Sequence, residues 1–347
     1  MTTLDFSPTS SSPYVSNETS RHQARENARP GEGKLSLYKS EEGFNEIMEW
    51  YEGLIEKIET PTESRFVDTR FGSTHMLVCG PEDGEPLILV QAAAGSAPLW
   101  RKQLPEFAKY FRVYALDTVG QPGLSAPNPP SYLNDDYSDW LIDILDQLDI
   151  EKAHFIGISA GGWQVMRTGI KYPERIKKVV LLSPTGVSHA RLPIKIWLTK
   201  VLSKRKNVDA LENDLTAKSV KSKSPGGSFG TFDRQLARAM ALCTRHFRLD
   251  RSMGVYDEKT NKISFLKAAK VLRTFFLSEP KKLLREFKCE ALVIFGEHEV
   301  LYDPYKVSKR AELYFPNTKT RVLEGAGHAV IYDKPEEANQ IIIDFLR

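Results

Sequence analysis

The run Ala153-His154-Phe155-Ile156-Gly157-Ile158-Ser159-Ala160-Gly161-Gly162-Trp163 reads as a buried strand, a sharp turn and the opening of a helix. A short apolar segment with β-branched and aromatic residues suits a strand covered on both faces. Gly157, Gly161 and Gly162 mark places where a Cβ would collide with neighbouring backbone. Ser159 is thereby held on the bend, its hydroxyl exposed beside a helix N-terminus. A second segment, Gly226 to Gly230, repeats the Gly-x-Ser-x-Gly spacing. It follows Lys221-Ser222-Lys223-Ser224-Pro225, a polar run with no strand before it, and reads as a loop.

Working outward from Ser159, apolar strand candidates alternate with amphipathic segments. Upstream lie Ser64 to Thr69 and Thr74 to Cys79, joined by Arg70-Phe71-Gly72-Ser73, then Pro86 to Gln91, a helix from about Pro98, and Phe111 to Leu116. The segment after Asn134 sets Tyr137, Trp140, Leu141, Ile144, Leu145 and Leu148 on one helical face, with Asn134 as its cap. Downstream come Lys178 to Leu182, Ala291 to Phe295, a strand near Thr320 to Leu323, and a last helix from Pro335 to Leu346. Strands separated by helices imply a mostly parallel central sheet flanked by helices, with right-handed crossovers. The alternation breaks between residues 184 and 289, where apolar residues recur at helical spacing, as in the stripe Ile194, Trp197, Leu198, Val201 and Leu202; this stretch reads as a helical cap inserted into an α/β core. The core is then residues 35–183 and 290–347, with an N-terminal helix over 35–60.

Composition narrows the class. The chain has 347 residues, 41% hydrophobic and 27% charged, enough for a large core. A formal net charge of +3 gives no reason to expect nucleic acid as a partner, and no apolar run is long enough for a transmembrane helix. Residues 1–34 are polar, lack periodicity and contain no secretory apolar core, so they read as a disordered tail. The sequon at Asn17 is discounted on the same ground. Cys79, Cys243 and Cys289 lie far apart, which suits free, buried thiols in a reducing cytoplasm. Between Arg191 and Lys223 there are nine Lys or Arg against three Asp or Glu. That basic stretch reads first as a solvated cap face, with an anionic substrate or weak membrane-surface contact as alternatives.

A serine hydroxyl is a weak nucleophile at neutral pH; it needs a base, a group to orient that base, and donors for the developing oxyanion. In open parallel sheets such groups gather beyond the carboxyl ends of the strands. Among seven histidines only His328 meets that condition, in the loop Leu323-Glu324-Gly325-Ala326-Gly327-His328. Glu297, Glu299 and Asp303 follow the strand before it and supply candidate carboxylates. His298 beside them lacks the two-histidine helical spacing of zinc hydrolases, so no metal is expected. The small-residue loop Gln91 to Ser96 would let backbone approach a substrate.

Taken together, the elbow Gly157 to Gly161, the loop Asp117 to Ser125, Gly296-Glu297-His298-Glu299 and Gly325-Ala326-Gly327-His328 resemble the α/β-hydrolase superfamily over roughly Ser64 to Arg347. Within it the chain is similar to bacterial carboxylesterases with a helical cap. The resemblance implies a cofactor-free serine hydrolase with the triad Ser159, Glu299 and His328, and puts Glu299 ahead of Asp303 as the acid. It implies an oxyanion hole from the N–H groups of Ala93 and Ala160, and a small-molecule acyl ester as substrate. Trp100 and Trp163, beside these elements, are candidates for the pocket wall. Two departures stand out: Gln91-Ala92 where the family commonly has His-Gly, and Glu in place of the commoner Asp. The same triad also serves acyltransferases, lactonases, C–C hydrolases and haloperoxidases, and the fold alone would fit a ligand-binding protein. Oligomeric state is left open.

Overall fold

The computed structural model describes residues 14–15, 37–190, 207–221, 231–257 and 259–347. Strands are β1 (Tyr14–Val15), β2 (Thr62–Thr69), β3 (Gly72–Cys79), β4 (Glu85–Val90), β5 (Phe111–Leu116), β6 (Ala153–Ile158), β7 (Ile176–Leu182), β8 (Tyr256–Asp257), β9 (Lys262–Ile263), β10 (Glu290–Gly296) and β11 (Thr318–Leu323). The principal helices are α1 (Glu41–Ile55), α2 (Asp136–Gln147), α3 (Ala160–Lys171), α4 (Val208–Lys221), α5 (Arg234–His246), α6 (Phe265–Phe276), α7 (Pro304–Tyr314) and α8 (Pro335–Leu346).

Nine strands form one sheet in the order β1-β2-β3-β5-β4-β6-β7-β10-β11. β3 pairs antiparallel with β2 and β5, and every other neighbour pair is parallel. The central position of β6 follows from its side chains. All six residues are buried; Phe155 enters the core on one face, while Ile156 and Ile158 enter it on the other. The first face is covered by α2, α3 and α7, the second by α1, α8 and the turns from Ala97 to Phe107. Because β6, β7, β10 and β11 run parallel, their carboxyl ends open onto one edge of the sheet, and the loops bearing Ser159, Glu299 and His328 lie along it.

Most of the expected disordered tail, including Asn17, lies outside the described residues, but Tyr14 and Val15 pair with Thr62 and Glu63 of β2. The loop around Gly226 to Gly230 and the apolar stripe Ile194 to Leu202 also lie outside them, as does most of the basic stretch. A helix from Pro98 is replaced by a 3₁₀ turn, Ala97–Lys102, and a short helix, Leu104–Phe107. Pro98 is tolerated in the first turn, but Pro105 breaks a helix continued from it, since it has no N–H to bond the carbonyl of Arg101 and its ring would clash there. The inserted region is not wholly helical: β8 and β9 form a small hairpin, Tyr256 opposite Ile263. On α6, Val271 and Phe275 are buried whereas Phe265, Leu266 and Leu272 are exposed.

The N-terminal helix also braces the cap. The backbone of residues 37–39 pairs with 246–248 (Lys39 N to His246 O 2.8 Å, Arg248 N to Leu37 O 2.7 Å), and a Cβ at Gly43 would strike the His246 ring.

Candidate active site

Ser159 sits between the last residue of β6 and the first of α3 with φ 51° and ψ −110°. An L-residue adopts that conformation only when its surroundings over-determine it, at a cost of about 1–3 kcal/mol. Its N–H donates to Leu182 O of β7 (2.9 Å), and its carbonyl accepts from Trp163 N (3.1 Å) and Thr185 N (3.2 Å). Gly161 lets α3 start directly over β4: a Cβ there would lie 2.4 Å from Gln91 O and 2.6 Å from Val90 O. Side-chain mass is excluded at this point so that the serine can be presented at the sheet edge.

The acid and base loops are fastened to each other. A Cβ on Gly296 would lie 2.2 Å from Gly327 O, and backbone bonds join Glu297 N to Leu323 O (2.9 Å) and His298 N to Ala326 O (2.9 Å). The Glu297 carboxylate accepts from Gly325 N (2.9 Å). Glu299 then faces His328, with Nδ1 2.9 Å from both carboxylate oxygens. The carboxylate is fully buried and the imidazole nearly so. Burial alone would raise the Glu299 pKa; the adjacent His328, its hydrogen bond, the Leu301 N–H and Ser183 outweigh that and hold it below the ordinary carboxyl value. A carboxylate on Nδ1 fixes the tautomer that leaves Nε2 to take a proton. Asp303, the other acid considered from sequence, instead caps α7 by accepting from Lys306 N (3.1 Å).

The loop carrying Ala93 begins at the buried Gln91, whose side chain bonds the Tyr332 hydroxyl (Nε2 to Oη 2.9 Å). It ends at Ala97, whose N–H donates to the fully buried Asp117 (2.7 Å). Asp117 also accepts from Leu124 N (2.9 Å) and Tyr51 Oη (2.7 Å), and its Oδ2 lies 2.8 Å from His75 Nδ1. Ala160 is the first residue of α3, so its N–H has no partner within the helix. Both proposed oxyanion residues thus flank Ser159 on the same sheet edge. Trp163 is buried on α3, and its indole N–H donates to Glu279 of the inserted region (2.8 Å). Trp100 is fully buried in the cluster that also contains α1.

Sequence reasoning did not single out Asp333 or Gln121. Asp333 accepts from Gly327 N (3.0 Å), Thr231 Oγ1 (2.9 Å) and Phe232 N (3.2 Å), joining the histidine loop to the start of α5. Gln121 accepts from Ala94 N (2.7 Å). The Gln121–Ala94 and Asp333–Thr231 contacts leave no periodic or motif signal, because each pairs residues more than twenty positions apart. A position inside the Gly/Pro loop was the one available hint for Gln121.

Among known proteins, the chain is 30% identical over 283 residues to a carboxylesterase of Bacillus subtilis strain 168, Nap, whose specific role is uncharacterised; the match covers 82% of this chain and 86% of that one. Carboxylesterase YbfK of the same organism is 26% identical over 285 residues, covering 82% and 88%. The crystal structure of naproxen esterase from Bacillus subtilis superposes with TM-score 0.69 at 25% identity, over 90% of this chain and all of that one. No helix among the described residues is long and apolar enough to cross a membrane. The sequence pattern of the α/β hydrolase fold matches residues 85–335, and the chain belongs to that family.

Proposed function

We propose that this protein is a carboxylesterase that cleaves small-molecule carboxylic esters through an acyl-serine intermediate. The Ser159 hydroxyl attacks the ester carbonyl as His328 Nε2 takes its proton, and Glu299 stabilises the imidazolium that forms. The N–H groups of Ala93 and Ala160 receive the oxyanion. Collapse of the tetrahedral species expels the alcohol, which leaves with the proton from His328. Water, activated by the same imidazole, then attacks the acyl-serine and releases the acid. Every bond made and broken is served by groups on this chain, so the reaction needs no cofactor.

The observation that carries this reading is the pairing of His328 with the buried Glu299, in loops that open on the same sheet edge as the strained Ser159. Trp163 is assigned to the acyl-pocket side of the site; Trp100 lies in the core on the opposite face of the sheet. The reading extends to a cytoplasmic location, supported by three free, buried cysteines.

The test is a panel of p-nitrophenyl esters of increasing acyl length, with naproxen methyl ester, lactones and thioesters, run on wild type and Ser159→Ala. The expected result is turnover of short-acyl p-nitrophenyl esters that falls at least about 10³-fold in Ser159→Ala. Negligible turnover of every substrate by folded wild type would contradict it, and diversion of the acyl group to added alcohols would reassign the enzyme to acyl transfer.

A further inference from the structure

The oxyanion turn is held from the cap. Gly95 N donates to Ala92 O (2.9 Å), closing a four-residue turn in which Ala94 occupies the third position with φ 62°. Of the turn's four residues only Ala94 lies in the left-handed region. This is the pattern of a type II turn, where that position is ordinarily glycine because a Cβ crowds the neighbouring carbonyl. The peptide between Ala92 and Ala93 carries both the carbonyl that closes the turn and the N–H assigned to the oxyanion. In a planar trans peptide these point in opposite directions, so the integrity of the turn sets the aim of the Ala93 N–H.

Both backbone groups of Ala94 are gripped. Its N–H donates to Gln121 Oε1 at 2.7 Å, and its carbonyl accepts from Cys243 Sγ of α5 at 3.4 Å. Gln121 is buried, and its amide nitrogen donates to Ser252 Oγ at 2.6 Å. Ser252 is fully buried in the short helix Leu249–Ser252 of the inserted region. The donor at Ala94 requires an acceptor, which fixes the Gln121 amide with its oxygen toward the turn and its nitrogen toward Ser252. Two of the three contacts on this alanine's backbone and its keeper therefore come from the cap.

We infer that Gln121 is a positioning residue for the oxyanion hole: it holds Ala94 in its left-handed conformation and couples the seating of the cap, through Ser252, to the aim of the Ala93 N–H. This rests on the esterase reading above. Without the Gln121 acceptor a half-buried N–H loses its partner, and the strained turn gains by opening: Ala94 relaxes to an ordinary φ, Gly95 N leaves Ala92 O, and the peptide between Ala92 and Ala93 is no longer held. The cap then serves two ends, roofing the site and completing the electrostatics that stabilise the transition state.

The experiment compares kcat and KM for a p-nitrophenyl ester in full-length wild type, Gln121→Leu, Ser252→Ala and the double variant Gln121→Leu with Ala94→Gly. An interaction made in the transition state appears in kcat, so Gln121→Leu should lower kcat by roughly 10- to 100-fold with KM within about two-fold. Ser252→Ala should lower kcat by about two- to ten-fold in the same way. Glycine favours the left-handed conformation unaided, so Ala94→Gly should restore most of the kcat lost in Gln121→Leu. A merely structural glutamine would not be rescued by a glycine 27 positions away. Folded Gln121→Leu with wild-type kcat, or a kcat loss that the glycine does not reverse, overturns the inference. If Gln121→Leu fails to fold, Ser252→Ala decides: a kcat loss at constant KM supports the coupling, and unchanged kcat refutes it. Inactive wild type would sink the esterase reading itself, whereas active wild type with unaffected variants sinks this inference alone.

Discussion

At the scale of single residues the proposed triad turns on Glu299, a buried carboxylate 2.9 Å from the imidazole. Replacing it with Gln keeps the shape but lets the amide stabilise the wrong tautomer of His328. The expected loss is about 10³- to 10⁴-fold in kcat, read from steady-state ester hydrolysis. The same residue links stability to pH. Its pKa is depressed in the folded state, so its contribution is present above the unfolded value of about 4.3 and is lost as pH falls through the folded one. Urea unfolding from neutral to acid pH should show wild type losing more stability than Glu299→Gln. Equal slopes would mean that the carboxylate is not held as charged. Much of this was legible in the sequence: a Gly-flanked histidine after the last strand and a carboxylate after the one before it are local patterns. The choice of Glu299 over Asp303 was not settled by the residues themselves, because both lie within reach in the same loop. In the structure His328 Nδ1 faces Glu299, and Asp303 caps α7.

At the scale of elements the elbow works by exclusion of side chains. Gly161→Ala puts a methyl 2.4 Å from Gln91 O and 2.6 Å from Val90 O at the end of β4, backbone that cannot yield as a flexible side chain could. The variant should lose about 1–3 kcal/mol in urea unfolding, and activity with it. Gly53 on α1 makes the contrast: a Cβ there meets nothing within 4 Å. Gly53→Ala should stabilise by about 0.5–1 kcal/mol with activity unchanged. The elements that the sequence disclosed best are those with a strong period and full burial, such as β6, α2 and α8. Those it missed are built otherwise. The segment from Ala97 to Phe107 is broken by Pro105 against a helical pattern, and the β8–β9 hairpin is two residues per strand with exposed Lys262 and Ile263.

At the scale of the molecule, cap and core share one interior. Ala239, Ala241, Leu242 and Phe247 of the inserted region pack in the same cluster as Ile156 and Ile158 of β6. A polar clamp joins them as well: Asp233, buried at the start of α5, meets Arg101 Nη2 at 2.5 Å and Lys102 Nζ at 2.9 Å. Calorimetry should accordingly show one cooperative transition, and a separate low-temperature transition of the cap would refute the shared interior. Asp233→Ala removes both the helix cap and the partner of a buried guanidinium, and should cost about 3–5 kcal/mol. This joining was invisible in the sequence, where residues 184–289 look like an interruption; the contacts that make the cap part of the core are long-range pairs without a local signature. On the proposed mechanism, Ser159 is made nucleophilic by His328 across loops brought together by the sheet. The most direct measurement of this is labelling by a fluorophosphonate, mapped by mass spectrometry in wild type and His328→Ala. A single adduct on Ser159 is expected, forming at least about 10³-fold more slowly in His328→Ala. An adduct on another serine, or labelling of Ser159 at the wild-type rate without the imidazole, would contradict it.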